Sequence, residues 1–582
     1  MKLTYFRELI KSNVSSLIVI GAAFCFFIFA SSFNYLSQDS DFHKWLSPDE
    51  TANYTVAKLY AETGNFQFFE KYNLIASDII HPRSFRSDWG WIKPMSFIGL
   101  PFIYGSIARV LGTATLPYLT PFYGALGIIF FYLLIKELFN KQTALFSALL
   151  LSVFPIYIYF SARSFFHNIL FIVMLIIGSY FSVIMTKNRS EKIGSYFKKN
   201  RLNLLSAFLA GLFFGLAIIT RTSELIWVGP LLLGLYIFNF RKVGIIKLFI
   251  LVCGILIALM PAFYWNQVMY GHWYSSGYPE LNSSLGTLTE NGATLAQTTF
   301  AGHFLDIKPV LAKIKMTIFH FGYKPRQSLN MFDKYVYNMF PWLFWGTLTG
   351  IILFFARFKN YSKGRWLFFL TWVGLSIILV LYYGSWLFFD NPDPKSFTIG
   401  NSYTRYWLPL YLGAIVFTSI GVTIISGWLR RPTYILMLRA IVFAVIATIS
   451  IRFVWLDPAE GLAVSIAKQA QAKEEWKQIL NLTEKNSVII TRYHDKVLFP
   501  ERKVIIGLFN DKNMITEYSK LVKRLPVYYY NFSLPEKDIN YLNNGALREA
   551  GVELILVKQV TNIFTLYHLR PVPIGPRLIS AT

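Results

Sequence analysis

The sequence predicts an all-α polytopic membrane protein of about eleven transmembrane helices, followed by a small extracytoplasmic α/β domain. Three observations lead there. The 582 residues are 54% hydrophobic and 18% aromatic, with only 15% charged and a mean hydropathy of +0.43. A water-soluble fold of this length cannot hide that much apolar surface. Apolar runs of about twenty residues, enough to cross a ~30 Å hydrocarbon core, recur as far as residue 455. Beyond about residue 456 the texture changes to short β-branched runs alternating with amphipathic ones.

The predicted spans are 14–36, 117–138, 143–161, 166–186, 203–220, 223–240, 244–266, 336–356, 366–388, 405–428 and 433–455. The first is too long for a signal peptide and ten more follow, so it reads as a retained anchor. A twelfth apolar run, 96–110, is short and contains Pro101, Gly105 and Arg109. If it crossed the membrane, the basic loop 187–201 would face outward. If it lies in the interface or re-enters, every basic loop falls on one side: Lys2, Arg7 and Lys11, then Lys136 and Lys141, 187–201, 241–247, 357–365, and Arg430 with Arg431. That is the positive-inside pattern, with the N-terminus cytoplasmic and the tail extracytoplasmic.

A membrane domain is thus expected over 1–455. It includes a first outer loop at 37–110 with juxtamembrane helices and a long outer loop at 267–335. A soluble α/β domain follows over 456–582, with strands at 487–493, 503–507, 527–532 and 552–560 and helices at 463–483, 512–524 and 534–549. Cys25 and Cys253 both sit in apolar runs, leaving no disulfide framework and no cysteine metal site. The net charge of +25 is spread over short inter-helix loops, which excludes nucleic acid as its explanation.

Chemistry concentrates on the outer face. Ser47-Pro48-Asp49-Glu50 is a capping box with proline at the first helical position, and Ala52, Val56, Leu59 and Tyr60 continue an apolar stripe to Gly64. A cap needs only one of the two acids, so Asp49 stays available for chemistry. Cations gather on the same side: Lys93 before Pro94, Arg163 and the nearby His167, Arg221 after the span 203–220, and Arg405 with Tyr406 at the mouth of another span. Arginine there is expensive unless it is paired or used. Guanidinium groups bind phosphate in a bidentate fork. A carboxylate beside them suits a transferase with a phosphate leaving group, the acid taking a proton from an acceptor hydroxyl.

The order of these features resembles the GT-C glycosyltransferases, in the branch of the protein O-mannosyltransferases and lipid A aminoarabinose transferases. The resemblance rests on Pro48-Asp49-Glu50 after the first span, Lys93-Pro94 before a short apolar helix, Thr220-Arg221-Thr222, and Arg405-Tyr406-Trp407-Leu408-Pro409. It covers about residues 10–260 and, locally, 400–430. It implies an inverting transferase using a polyprenyl-phosphate sugar donor and a protein, lipid or glycan acceptor at the extracytoplasmic face. Asp49 becomes the catalytic base and Glu50 its acidic neighbour, with Arg221, Arg405, Tyr406 and Arg163 as donor-phosphate or acceptor-site contacts and Lys93 in the wall of the site.

Two positions depart from the pattern. Asn168 stands where relatives often carry a second acid, and Ile92 precedes Lys93-Pro94 where an acid sometimes does, with Asp88 nearest. A divalent metal is therefore a secondary expectation, with Asp49, Glu50 and His167 as its weak candidate ligands. Trp89 and Trp91 read as interfacial aromatics, and Trp273, Tyr274, Tyr278 and His303 mark the long outer loop. The alternative is a polytopic transporter or lipid flippase, which would need mid-bilayer ionisable groups and inverted repeats. Compact loops favour a bacterial plasma membrane.

Overall fold

The computed structural model describes residues 2–187, 196–278, 322–357, 362–391 and 396–572. Among them, eight helices are long and apolar enough to cross a membrane, or ten if each of two bent pairs is one span. The protein is a multi-pass membrane protein. The bent pairs are Lys141–Ser152 with Pro155–Ala162, turning by 52°, and Pro325–Asn338 with Pro341–Ala356, turning by 96°. Both breaks fall at prolines, which begin a new helix but cannot continue the old one. The longest helical stretch, Leu225–Tyr270, has 46 residues. Unbroken it would reach about 69 Å, more than twice a hydrocarbon core. Gly244, at φ 70 and ψ 167, divides it between the expected spans 223–240 and 244–266.

The run 96–110 folds as the helix Gly99–Leu111, about 20 Å long and too short to cross. Most of the 267–335 loop, His303 included, lies outside the described residues.

Two compact units emerge. The membrane unit comprises Met1–Asn34, Phe97–Leu100 and Pro117–Val464. Its helices meet at small residues: a Cβ on Gly350 would lie 1.8 Å from the Phe417 carbonyl oxygen, and one on Gly211 1.9 Å from that of Leu251. Close backbone contact of this kind is the usual way helices associate in lipid.

The second unit comprises Tyr35–Ser96, Pro101–Leu116 and Ser465–Thr582, so the first outer segment groups with the tail. Its main sheet has five strands: β1 (Val488–Thr491), β2 (Lys503–Ile506), β3 (Val527–Phe532), β4 (Val552–Gln559) and β5 (Phe564–Pro571). Their order is β2-β1-β3-β5-β4, with β1 parallel to β2 and β3, and β5 antiparallel to β3 and β4. Four of these strands match the expected runs; β5 is an addition. Helices Leu462–Leu482, Lys512–Val522 and Glu536–Asn544 also fall where expected. Ile490, Ile505, Tyr518, Val527 and Tyr567 are central to the core.

The outer segment is more than helical. Helix Pro48–Thr63 starts and stops as its sequence dictates: the Ser47 amide donates to Glu50 Oε2 at 3.2 Å, and Gly64 closes the end at φ 76 with its N–H on the Tyr60 carbonyl at 2.9 Å. Beyond it lies an unexpected three-stranded sheet of Phe68–Phe69, Phe85–Asp88 and Trp91–Pro94. Trp89 and Gly90 form its tight turn, both with positive φ (53 and 82), and Asp78 accepts both of their amides at 2.9 and 2.8 Å.

Replacing Gly350 by leucine forces the Phe417 backbone away. We expect a destabilisation of about 1–3 kcal/mol, seen as a lower melting temperature in detergent. An unchanged melting temperature would refute the close helix contact.

Candidate functional site

In the membrane unit three of the expected arginines share two aromatic rings. The Arg221 guanidinium lies 4.7 Å from the centre of the Tyr406 ring and that of Arg405 5.3 Å from the same ring. Arg405 also lies 4.5 Å from the Phe166 ring, and Arg163 lies 5.5 Å from it. The result is a ladder, Arg221–Tyr406–Arg405–Phe166–Arg163, held by cation–π contact. Of the residues expected to contact a donor phosphate (Lys93, Arg163, Arg221, Arg405 and Tyr406), the last four meet in this cluster.

Each rung is fixed locally. Arg221 follows the helix Tyr196–Thr220 and opens the short turn Thr222–Glu224. Glu224 is buried and accepts from Arg221 Nε at 2.9 Å and Nη2 at 2.8 Å. Tyr383 donates to the same carboxylate at 2.5 Å, as does Trp227 through its indole N–H. Tyr383 stacks on Tyr406 with ring centres 4.4 Å apart. Arg221 is therefore paired, one of the two conditions under which an arginine is tolerated there, because Glu224 lies three residues on in the same turn, a spacing the sequence displays.

Arg405 sits in the short helix Ser402–Tyr406, which Asn401 caps by accepting the Tyr403 amide. Asp390 accepts the Ser402 amide at 3.0 Å and its hydroxyl at 2.5 Å, and Ser402 Oγ in turn accepts from Arg405 Nη2 at 2.8 Å. Arg405 Nε is buried with no hydrogen-bond partner among the described residues, a costly state for a charged donor.

Arg163 and Phe166 ride on a pinned hairpin. Asn34 donates to the Ala162 carbonyl at 2.9 Å, Ser164 donates to that of Pro117 at 2.7 Å, and the Phe165 amide donates to Thr120 at 3.3 Å. Phe165 is held at φ 71, backbone strain of the kind that marks a constrained site. Arg163 Nη1 donates to Tyr159 at 2.7 Å. Asn168, at the expected acidic position, bridges the rungs: its Oδ1 accepts from Arg221 at 3.4 Å and its Nδ2 donates to the Arg405 carbonyl at 3.3 Å. His167 is buried beside Asn168, with Nε2 3.1 Å from the Phe97 carbonyl.

The acids and Lys93 belong to the second unit. Asp49, half-buried in the first turn of its helix, accepts from Ser84 Oγ at 2.5 Å. Ser84 is itself locked: its φ is 65, and the preceding Arg83 clamps buried Asp495 through its amide at 2.8 Å and through Nε and Nη2 at 3.0 and 2.5 Å. Glu50 is fully buried in its capping role. Lys93 is not a lone cation. It pairs with Asp88 at 3.2 Å, and Arg86, its cross-strand neighbour, binds the other Asp88 oxygen at 2.7 Å. Burial pushes the Asp88 carboxyl up, but Arg86 and Lys93 outweigh it and hold the group below its ordinary value.

Among the described residues, no three His, Cys, Asp or Glu side chains converge as metal ligands. The donor set of Asp49, Glu50 and His167 gives no support for a metal, since Asp49 and Glu50 are engaged as above and His167 faces a carbonyl.

The family described as dolichyl-phosphate-mannose-protein mannosyltransferase matches residues 101–265. In fold, the chain is similar to ArnT from Cupriavidus metallidurans bound to undecaprenyl phosphate, with 11% identity and a TM-score of 0.54 over 95% of this chain and 97% of that one. It is also similar to the Archaeoglobus fulgidus oligosaccharyltransferase tethered to an acceptor peptide, with 12% identity and a TM-score of 0.53 over 96% and 74%. No curated protein matches it in sequence. The chain shares the fold of these two solved structures. The ladder falls partly inside the segment that matches the family, at Arg163 and Arg221, and partly beyond it, at Arg405.

Two outcomes follow. Glu224→Ala strands a buried guanidinium and should cost about 3–5 kcal/mol, with Glu224→Gln milder; equal melting temperatures for both variants and the parent would refute the pairing. Because the folded Asp88 pKa lies below its unfolded value, its contribution to stability is present above about pH 4 and is lost as pH falls through the lowered folded value. Asp88→Asn should therefore flatten the acid limb of a melting-temperature profile. An identical acid limb would show that the Arg86–Asp88–Lys93 group adds nothing.

Proposed function

We propose that the protein is an inverting glycosyltransferase that moves a sugar from a polyprenyl-phosphate donor to an acceptor hydroxyl. The acceptor, on a protein, lipid or glycan, is used at the extracytoplasmic face of a bacterial plasma membrane, with the N-terminus cytoplasmic. The observation that carries this reading is the ladder: three guanidinium groups gather on two rings, Arg221 pairs with Glu224, and the buried Nε of Arg405 has no hydrogen-bond partner among the described residues. A sugar phosphodiester carries one negative charge, and the departing phosphate monoester approaches two. Guanidinium groups fixed in place favour the state in which the leaving group has gained charge, which is the condition for catalysis rather than mere binding. The ArnT relative is seen with undecaprenyl phosphate and the oligosaccharyltransferase with an acceptor peptide, which supports a lipid-linked donor and leaves several acceptor classes open.

Asp49 is assigned as general base on its place in the Pro-Asp-Glu motif. It takes the proton of the acceptor hydroxyl, whose oxygen attacks the anomeric carbon from the face opposite the phosphate. The carbon–oxygen bond to phosphate breaks, and polyprenyl phosphate leaves. The Ser84 hydrogen bond on Oδ1 orients the carboxylate for this role. Glu50 holds the helix start and Lys93 braces the neighbouring sheet through Asp88. Neither the family match nor the fold likeness supports the transporter or flippase alternative.

Asp49→Asn preserves shape and removes the base, so kcat for sugar transfer from a polyprenyl-phosphate donor should fall by about 10²–10⁴ with the protein still accumulating in the membrane. Arg405→Gln should lose about 10²–10³ and weaken retention of the lipid phosphate. Full turnover in Asp49→Asn would remove the base assignment. Undiminished phosphate retention in Arg405→Gln would remove the ladder from the donor site.

A further inference from the structure

The helix Pro432–Leu456 is the least buried of the eight long apolar helices among the described residues, at 11%. Together with Phe29 of the first span it forms an open groove of about 670 Å³, within the ~300–1,000 Å³ typical of ligand sites. Ala444, Ala447, Thr448 and Ile451 line it, and Trp455 closes one end with its ring 5.7 Å from that of Phe29. Arg452 lines the same groove, is exposed, and makes no hydrogen bond or ion pair with a described residue. It stands four residues before the helix ends at Leu456, about 6 Å along the axis. That is headgroup depth whichever way the helix crosses, as the adjacent tryptophan also indicates. An arginine facing lipid is costly unless it reaches a counter-charge at the interface.

We propose that this groove binds one anionic glycerophospholipid. An acyl chain lies over Ala444, Ala447 and Thr448, and the lipid phosphate takes the Arg452 fork. Charge complementarity selects an anionic headgroup. The sparse polar lining, limited to Thr448, Arg452 and the Trp455 indole, favours a bulk phospholipid over a sugar-bearing donor. The site is separate from the arginine ladder in the residues it uses.

Native mass spectrometry of the full chain, titrated with phosphatidylglycerol, phosphatidylcholine or undecaprenyl phosphate, tests this. Phosphatidylglycerol adducts should exceed phosphatidylcholine adducts. They should fall about fivefold in Arg452→Gln, the factor for one cation at an anionic lipid surface, and should also fall in Ala447→Leu, which fills the groove floor. Undecaprenyl phosphate retention should not change in either variant. Equal phosphatidylglycerol retention in the parent and both variants overturns the proposal. So does a loss of undecaprenyl phosphate binding in place of phospholipid binding, a result that would leave the transferase reading intact.

Discussion

Stacking three guanidinium groups on two shared aromatic rings is the constraint that shapes the membrane unit. Each desolvated cation–π contact is worth about 2 kcal/mol, whereas burying an ion costs several kcal/mol even after relaxation. The rings alone therefore cannot hold the ladder. Glu224 offsets one charge directly, and Asp390 steadies a second through Ser402. Arg163 donates to Tyr159, and the backbone adds further support. The hairpin carrying Arg163 and Phe166 is tied by Asn34, Thr120 and the Pro117 carbonyl, and this is where Phe165 is held at positive φ. Support of this density around exposed chemistry is what preorganisation requires, because a phosphate site that must first assemble itself gives up part of its binding energy.

The same logic applies to Asp49 in the second unit. A general base works only if its oxygen is held within hydrogen-bond reach of the proton it takes. Its side-chain partner among the described residues, Ser84, sits at positive φ next to an arginine that grips a fully buried aspartate. The strained turn is thus held from a neighbouring residue, and the carboxylate inherits that rigidity.

Much of the fold was legible because lipid and caps leave strong marks. Apolar length located the spans, Ser47, Pro48 and Gly64 fixed a helix to the residue, and β-branched runs marked four of five strands. The hairpin of the outer segment was not legible, since its turn is Trp89-Gly90 and a tryptophan rarely occupies a left-handed turn position; Asp78, from eleven residues upstream, stabilises it. Strand Phe564–Pro571 mixes Thr, His and Arg into its apolar residues and lacked the β-branched signature. At the site, Arg221 and Arg405 stand out because an arginine at the outer end of an apolar span is expensive. Glu224, three residues from Arg221, is legible by its spacing, whereas the pairing of Lys93 with Asp88 depends on the two arms of a hairpin that the sequence does not announce.

Asn168 shows why a departure from a family pattern need not be a defect. A carboxylate at that position would sit beside Arg221, which already contacts Glu224, and would add a second negative charge there. The amide keeps the geometric function, bridging Arg221 to the backbone at Arg405, and adds no charge. Glu224 is placed to supply the negative charge instead, from behind the guanidinium, where Trp227 and Tyr383 also bind it. With an amide at Asn168, the positive field at Arg221 is offset by Glu224. An anion drawn into that field would meet Arg405 Nε, the one buried guanidinium donor of the ladder left without a partner among the described residues.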